Sequence, residues 1–340
     1  MALLLVAPFK ESEQLRSHER LPVSRSKPIS PWYSESVYRP GLRSQLVIPK
    51  PHPVELANGE VVGVYEYGQA DGRPVMVFHG TPACGAGFDW ADAPARDRGL
   101  RLIAPDRPGV GLSSRRVGYT ISDWPPIVTA LATIVGVDRF AVWGYSGGGP
   151  LAVATAAAEP ARVVGAAIAA GMGEMGTFAT AADFEKTDRQ LLGLSMRHPR
   201  VAAVVLAAAA RGAKLSPKMA YRSFEKQLTE ADAKVAAGLG EPREAMALFT
   251  QAFLKGSNGV VDDYRAISGS WGVDFASITV PVRIFQGTAD TMVPMRHADE
   301  LVRRIPHAEL VTWPDEGHLG TVNHVDEILD WIVALPWDAS

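Results

Sequence analysis

Short apolar runs alternate with helical segments along much of the chain. The runs with the length and composition of buried strands are 74–78, 101–105, 140–143, 163–170, 278–285 and 308–312. Helical intervals at 89–99 and 122–135 separate the early runs. Short apolar strands that alternate with helices are typical of a parallel sheet with both faces covered. The pattern therefore predicts the α/β class.

A different pattern precedes this alternation. Two apolar segments flank Asn58-Gly59 within 53–67, and Asn-Gly in such a setting is a strong signal for a β-hairpin. Residues 1–43 are rich in proline and lack periodicity. We expect them to form an extended N-terminal arm or a partly disordered tail, whose role the sequence does not reveal.

Strand signals almost vanish between 172 and 270, where Ala, Leu, Lys, Glu and Met dominate. Helical stretches in this part are predicted at 184–197, 200–210, 217–238 and 241–255. The strand pattern then returns, and the chain closes with a helix at 323–335. We therefore expect a helical cap domain at 172–270, inserted into a core domain made of 44–171 and 271–340.

Composition narrows the class of function. The chain has 340 residues, of which 47% are hydrophobic, so it can bury a large core. Its formal net charge of -3 argues against nucleic acid or an anionic membrane as the main partner. The single cysteine, Cys84, excludes an intramolecular disulfide and a zinc site built from cysteines, and we expect it to fill the core.

No apolar run approaches the ~20 residues needed to cross a bilayer. The apolar start of the chain lacks a basic region and a clear cleavage site, so we do not interpret it as a signal peptide. We expect a cytoplasmic protein with no membrane partner. The oligomeric state is not encoded in any pattern of this sequence.

Residues 144–148 read Gly-Tyr-Ser-Gly-Gly and stand between the predicted strand at 140–143 and a helical segment at 151–158. A serine in such a turn forms a nucleophile elbow, and its neighbours must be small because the backbone is strained there. The following helix directs free N–H groups towards the place where an oxyanion forms. An ordinary glycine-rich turn is the alternative, but the flanking strand and helix favour Ser146 as a nucleophile.

A serine hydroxyl needs a base, and the base needs a group that orients it. Asp290 follows one late strand in a Gly-x-x-Asp sequence, and His318 follows the last strand in Gly-His. The chain order Ser146, Asp290, His318 is the order that a nucleophile elbow requires. A turn role for Asp290 and a surface role for His318 are the alternatives. Glu174, just past the strand that ends near Ala170, competes with Asp290 as the acid.

An oxyanion needs two N–H donors. Gly147, the residue after the nucleophile, is expected to supply one, and Thr81 in the loop after an early strand the other. Gly80 lets the backbone of this loop approach closely. We expect His79 to brace the loop by hydrogen bonds rather than to transfer protons, and Tyr145 to line the site.

The segment 106–113 is also rich in glycine but lacks the G-x-G-x-x-G spacing of a nucleotide site. We expect a fixed loop beside the site, with the charges of Asp106 and Arg107 buried or paired. The larger apolar residues of the predicted cap should mostly form its core, with a minority lining an acyl or ring pocket. These residues are Met196, Leu206, Met219, Phe224, Leu248, Phe249, Phe253 and Leu254.

Together, His79-Gly-Thr-Pro, the loop 106–113, the elbow 144–148, Asp290 and Gly317-His318 resemble the capped branch of the α/β-hydrolase superfamily. The resemblance covers roughly 54–337. It implies an eight-stranded, mostly parallel sheet with one antiparallel edge strand, helices on both faces, a helical cap and an acyl-serine intermediate. A serine at the elbow distinguishes the chain from relatives similar to epoxide hydrolases and haloalkane dehalogenases, which place an aspartate there. The elbow also lacks the Gly-Gly-Ser-Trp-Gly sequence of proline iminopeptidases.

The resemblance leaves several activities open, since one fold hosts many. Our hypothesis is a serine hydrolase that acts on a small-to-medium, largely apolar carboxylic ester or lactone. It requires a small-molecule substrate and neither a metal nor an organic cofactor. A carbon–carbon bond hydrolase, an amidase, a non-hydrolytic lyase or cyclase, and a ligand-binding protein that keeps the pocket are the alternatives.

Overall fold

The computed structural model describes residues 49–338, so the predicted arm at 1–43 lies outside the described residues. Eight strands of this part form one sheet. The strands are β1 His52–Glu55, β2 Val61–Gly68, β3 Arg73–Phe78, β4 Leu100–Pro105, β5 Phe140–Tyr145, β6 Val163–Ala169, β7 Val282–Gly287 and β8 Glu309–Trp313. Their order across the sheet is β1-β2-β4-β3-β5-β6-β7-β8.

The sheet is mostly parallel, and β2 is the strand that runs against its neighbours. It pairs antiparallel with both β1 and β4, whereas the pairs from β4 to β8 are parallel. The prediction that the antiparallel strand lies at the edge of the sheet is therefore wrong, because β2 is the second strand from the edge. The predicted hairpin explains this: Gly59, at φ 80°, turns the chain so that β1 folds back onto β2 and takes the edge.

Twelve α-helices accompany the sheet in the described part of the chain. They are α1 Asp92–Asp97, α2 Trp124–Ile134, α3 Gly149–Ala158, α4 Lys186–Arg197, α5 Pro199–Leu215, α6 Pro217–Glu225, α7 Glu230–Gly238, α8 Pro242–Gln251, α9 Asn258–Ser268, α10 Arg296–Arg304, α11 Gly320–Asn323 and α12 Val325–Val333. Short 3-10 turns lie at Gly85–Ala91, Ile121–Asp123, Ser146–Gly148, Ala181–Asp183 and Phe275–Ser277. No helix within residues 49–338 is long and apolar enough to cross a membrane.

Helices cover both faces of the sheet. Every residue of β5 and of β6 is buried, as expected for central strands covered on both sides. On β6, a Cβ at Gly165 would meet Leu335, which follows α12. A Cβ at Gly149 of α3 would lie 3.4 Å from the Ile168 side chain. Positions 165 and 168 point to opposite faces of a strand, so α3 and the end of the chain pack on opposite sides.

Helices α4 to α9 all lie between β6 and β7 in the chain, and we call them the inserted helices. The stretch 217–238, predicted as one helical stretch, forms two helices, because the Thr229 side chain accepts a hydrogen bond from the backbone N–H of Asp232 and starts α7 anew. Helix α9 has no counterpart among the predicted helices. Strand β7 begins at Val282 rather than 278, since Pro281 has no N–H to continue the ladder. The division into core and cap domains stays a prediction.

Candidate active site

The turn after β5 has the geometry of a nucleophile elbow. Ser146 has a φ of 55°, in the left-handed region that residues other than glycine rarely adopt. The chain then passes through the 3-10 turn into α3. A Cβ at Gly148 would lie 2.0 Å from the carbonyl oxygen of Phe78 at the end of β3, so only glycine fits this crossing. The sequence of the turn thus brings Ser146 beside the loop that follows β3.

His318 and Asp290 form a buried pair. The distance between His318 Nδ1 and Asp290 Oδ2 is 2.8 Å, and both side chains are fully enclosed. Because a carboxylate oxygen accepts, Nδ1 of the neutral ring carries the proton and Nε2 has a free lone pair. This tautomer is the one that a general base needs when it takes a proton through Nε2.

Asp290 is held by groups on all sides of its carboxylate. Its Oδ1 accepts hydrogen bonds from the backbone N–H groups of Met292 and Val293, at 2.9 and 2.8 Å. Its Oδ2 also accepts from Gln286 Nε2 at 2.9 Å. Asp290 therefore closes a turn and orients His318 at once. Sequence reasoning missed Gln286, although a glutamine directly after the apolar pair Ile284-Phe285 signals a buried polar contact.

The surroundings of His318 favour its charged form. Burial lowers the pKa of the imidazole, but the negative charges of Asp290, and then of Asp232 and Asp188, outweigh burial and raise it above the ordinary value. The Tyr145 ring lies 5.2 Å from the His318 ring, and its hydroxyl donates to the His318 carbonyl at 3.3 Å. Tyr145 thus braces His318 from behind.

His318 Nε2 is buried and makes no hydrogen bond within residues 49–338. The bond between the Ser146 hydroxyl and this nitrogen is thus not formed in the structure. Catalytic hydrogen bonds of this kind are often long in free enzymes and tighten when substrate binds. The Ser146 side of the triad stays a prediction.

Glu174, the competing acid, lies in a different set of contacts. Its Oε1 accepts hydrogen bonds from the Ser270 hydroxyl at 3.1 Å and from the Trp271 N–H at 2.8 Å. Glu174 thus holds the chain that returns from α9, whereas the carboxylate in contact with His318 is that of Asp290.

The loop 79–82 packs against the elbow, as the oxyanion hypothesis requires. A Cβ at Gly147 would lie 3.2 Å from the Thr81 backbone nitrogen, so the two predicted donors are close neighbours. His79 is fully buried, and its Nδ1 lies 2.9 Å from the Gly80 carbonyl oxygen while its Nε2 accepts from the Arg107 N–H at 3.4 Å. Burial, and then the charge of Arg107, lower the pKa of His79 well below its ordinary value. A neutral His79 that bridges two loops matches the bracing role.

The loop 106–113 is fixed by two buried ionisable side chains, Asp106 and Arg107. Asp106 accepts hydrogen bonds from the N–H groups of Gly85 and Leu112, at 2.9 and 3.3 Å. Arg107 is fully buried and pairs with Asp263 of α9, with 2.6 Å between Nε and Oδ1. The expectation that these charges are buried or paired is confirmed. Asp263 was missed, because nothing in the sequence marks α9 as a partner of this loop.

Cys84 is buried, and burial raises the pKa of its thiol, in keeping with a core-filling role. No group of three or more His, Cys, Asp or Glu side chains within residues 49–338 is arranged to hold a metal ion.

The large apolar residues expected to form mostly the core of the cap divide into two sets. Most of them, namely Leu206, Phe224, Leu248, Phe249 and Phe253, are buried, while Met196, Met219 and Leu254 are exposed.

The fold and these motifs agree with a comparison against known families. A sequence profile for the alpha/beta hydrolase fold matches residues 73–325, which is most of the chain. The protein therefore belongs to the α/β-hydrolase family, a family of hydrolytic enzymes.

Individual relatives carry different activities. Haloalkane dehalogenase 2 of Mycobacterium tuberculosis is 32% identical over 99 residues, which are 28% of this chain and 34% of that protein, so the match spans about a third of the relative. Among solved structures, an esterase from Exiguobacterium antarcticum aligns with a TM-score of 0.61 at 16% identity, over 84% of this chain and 98% of that one. A bromoperoxidase from Bacillus anthracis aligns with a TM-score of 0.64 at 17% identity, over 83% and 100% of the two chains. At such identities these structures establish the shared fold alone.

Proposed function

We propose that this α/β hydrolase is a serine esterase that cleaves a small-to-medium, largely apolar carboxylic ester or lactone through an acyl-serine intermediate. The observation that carries the proposal is the enclosed Asp290–His318 pair, whose imidazole has Nε2 available, on a fold whose elbow holds Ser146 at φ 55°. A carboxylate, an imidazole and a serine in this order have no structural task that demands all three.

In the proposed reaction the Ser146 oxygen attacks the carbonyl carbon of the substrate, and its proton passes to His318 Nε2. Asp290 stabilises the imidazolium that forms, and the N–H groups of Gly147 and Thr81 stabilise the oxyanion. The alkoxide leaving group takes the proton from His318, which leaves an acyl-serine. Water then attacks the acyl carbon while His318 accepts its proton. The Ser146 oxygen takes this proton from His318 as its bond to the acyl carbon breaks, so the acid product, free Ser146 and neutral His318 result.

The apolar character proposed for the substrate is supported by the inserted helices. The inserted helices and the turns between them contain buried Phe224, Phe249 and Phe253, and we expect this part of the chain to close over the site. Ser146 itself is only 5% exposed, so a substrate must be small enough to be enclosed with it. Relatives similar to haloalkane dehalogenases have an aspartate at the elbow position. Because this chain has Ser146 there, we propose acyl transfer rather than dehalogenation.

The test is a panel of p-nitrophenyl esters and lactones of graded size, with a fluorophosphonate probe to label an activated serine. We expect the wild-type protein to hydrolyse short and medium esters and to be labelled at Ser146. Ser146→Ala should lower turnover by about 10⁴-fold or more and abolish labelling, because the nucleophile is gone. The matched control is Ser277→Ala, an exposed serine whose loss should leave both unchanged. Full turnover in Ser146→Ala would overturn the proposal.

A further inference from the structure

Two carboxylates from the inserted helices are buried against the loops that carry the proposed catalytic groups. Asp232 of α7 has 0% of its surface exposed, and Asp263 of α9 has 1%. Aspartate is almost never fully buried unless it is paired or hydrogen-bonded, so the contacts of both side chains are informative.

Asp232 contacts the backbone on either side of His318. Its Oδ1 accepts a hydrogen bond from the Leu319 N–H at 2.7 Å, and its Oδ2 accepts from the Thr229 hydroxyl at 2.8 Å. A Cβ at Gly317 would lie between 2.3 and 2.5 Å from the Asp232 carboxylate atoms. The backbone of 317–319 therefore runs directly against this carboxylate. His318 is thus held at its ring by Asp290 and at its backbone by a residue from the inserted helices.

Asp263 contacts the oxyanion loop in a comparable way. Its Oδ2 accepts hydrogen bonds from the Thr81 hydroxyl at 2.6 Å and from Arg107 Nη2 at 2.7 Å. Arg107 in turn donates to the carbonyl oxygens of His79 and Gly80 and to the Thr81 hydroxyl. One carboxylate thus fixes a guanidinium that fixes three consecutive residues of the loop.

We propose that Asp232 and Asp263 are positioning residues, through which the inserted helices set the places of the base and of an oxyanion donor. This inference rests on the proposed function, since it assigns the roles of His318 and Thr81. When the inserted helices are seated, both loops are held; when they shift, both loops lose an anchor together. The catalytic groups are then assembled by the same contact that encloses the substrate.

The inference concerns the rate of the chemical step rather than substrate affinity. A displacement of about 1 Å in a catalytic group can lower a rate about 100-fold, although the group itself is unchanged. We expect Asp232→Asn and Asp263→Asn each to lower kcat by about 10- to 100-fold with little change in KM. Asparagine keeps the size and one acceptor oxygen of each side chain, so the local packing is preserved.

For Asp232 the pH dependence of kcat/KM is an informative measurement, because it would not change if the role of Asp232 were only structural. The ionisable groups that face His318 are Asp290 after β7, Asp232 on α7, Asp188 on α4 and Tyr145 on β5. Removal of the Asp232 charge should move the acid limb of kcat/KM to lower pH, since a negative neighbour favours the imidazolium. Gly317→Ala is a second variant, because its methyl group displaces the carboxylate without a change of charge. It should lower kcat as well.

For Asp263 a double-variant cycle with Thr81→Val tests the route of action. Valine keeps the Thr81 N–H but removes the hydroxyl that Asp263 accepts from. If Asp263 acts through this hydroxyl, the double variant should lose no more kcat than the more impaired single variant. Thr81→Ser keeps the hydroxyl, so this variant should retain most of the wild-type kcat. Fluorophosphonate labelling should slow in parallel with kcat, since it uses the same oxyanion donors.

Neighbouring carboxylates on the same two helices serve as controls. Asp262 of α9 pairs with the half-exposed Arg115, and Glu230 of α7 is exposed and pairs with Lys234. Asp262→Asn and Glu230→Gln should leave kcat and the pH profile unchanged. Circular dichroism checks that the Asp232 and Asp263 variants are folded. The inference is overturned if these folded variants have the same kcat as the controls, or if only their KM changes. Failure of the proposed function shows differently, as wild-type protein that is not labelled at Ser146.

Discussion

At the scale of single residues, Asp290 uses one carboxylate oxygen to close a turn and the other to contact His318. Oδ1 accepts hydrogen bonds from two backbone N–H groups and closes the turn after β7. Oδ2 accepts hydrogen bonds from His318 Nδ1 and Gln286 Nε2. The turn interpretation and the triad interpretation of this residue are therefore compatible. Because the turn fixes the carboxylate before any substrate arrives, the imidazole needs no rearrangement of its partner during the reaction.

This arrangement separates the two candidate acids by experiment. Asp290→Asn should lower kcat by about 10⁴-fold, because the amide can donate to Nδ1 and so favours the wrong tautomer of His318. Glu174→Gln should leave kcat within a few fold, since Glu174 binds Ser270 and Trp271 instead. Steady-state kinetics on the best ester of the panel measures both. The reverse ranking of the two variants would reassign the orienting acid.

The pH profile gives an independent check on the same residues. His318 acts as a base only when neutral, so kcat/KM should rise with pH through the pKa of the free enzyme's imidazole. Because the neighbouring carboxylates raise this pKa, the acid limb should lie above the ordinary histidine value of 6.5. An acid limb below that value in the wild-type protein contradicts the assignment of His318.

At the scale of elements, the nucleophile elbow depends on how closely the 3-10 turn Ser146–Gly148 approaches the end of β3. The Cβ of an alanine at Gly148 would fall 2.0 Å from the Phe78 carbonyl oxygen, and this backbone atom cannot move without bending β3. Since β3 lies between β4 and β5 near the middle of the sheet, such a shift spreads through the core.

We expect Gly148→Ala to lower the free energy of unfolding by about 2 kcal/mol or more, through overpacking against the backbone. Gly212→Ala in α5 is the matched control, because a Cβ there meets nothing within 4 Å. That variant should instead stabilise by about 0.5–1 kcal/mol, the helix preference of alanine over glycine. Urea denaturation of both proteins measures the difference. Equal effects of the two substitutions contradict the close-approach argument.

The elements also show what sequence patterns could predict. Six strands of the sheet and the hairpin could be predicted, because the spacing of hydrophobic residues and the residue types of a turn depend on only a few neighbouring residues. The contacts of Asp232 with Leu319 and of Asp263 with Thr81 join residues more than 80 positions apart. No local pattern encodes such contacts, so the Asp290–His318 pair could be predicted from its motif while the residues that hold it could not. The position of β2 inside the sheet was missed for the same reason.

At the scale of the whole molecule, buried carboxyl groups couple stability to pH. Asp106 is 1% exposed and joins the loop after β4 to the segment that begins at Gly85. Burial raises its pKa to about 7, against an ordinary value of 3.8. Between about pH 4 and pH 7 the folded protein therefore binds a proton at Asp106 that the unfolded chain has already lost. This residue makes the folded state less stable as pH rises through that window.

We therefore expect Asp106→Asn to change the slope of stability against pH. Relative to the variant, the free energy of unfolding of the wild-type protein should fall by up to about 1.4 kcal/mol per pH unit between pH 4 and 7. Urea denaturation at intervals of half a pH unit measures both curves. Ser113→Ala is the control, because Ser113 donates to the Asp106 carbonyl and accepts from the Gly63 N–H but carries no charge. Its loss should destabilise by a similar amount at every pH. If the Asp106→Asn curve instead runs parallel to the wild-type curve, Asp106 is an ionised carboxylate in the folded protein, and the N–H groups of Gly85 and Leu112 offset the cost of burying its charge.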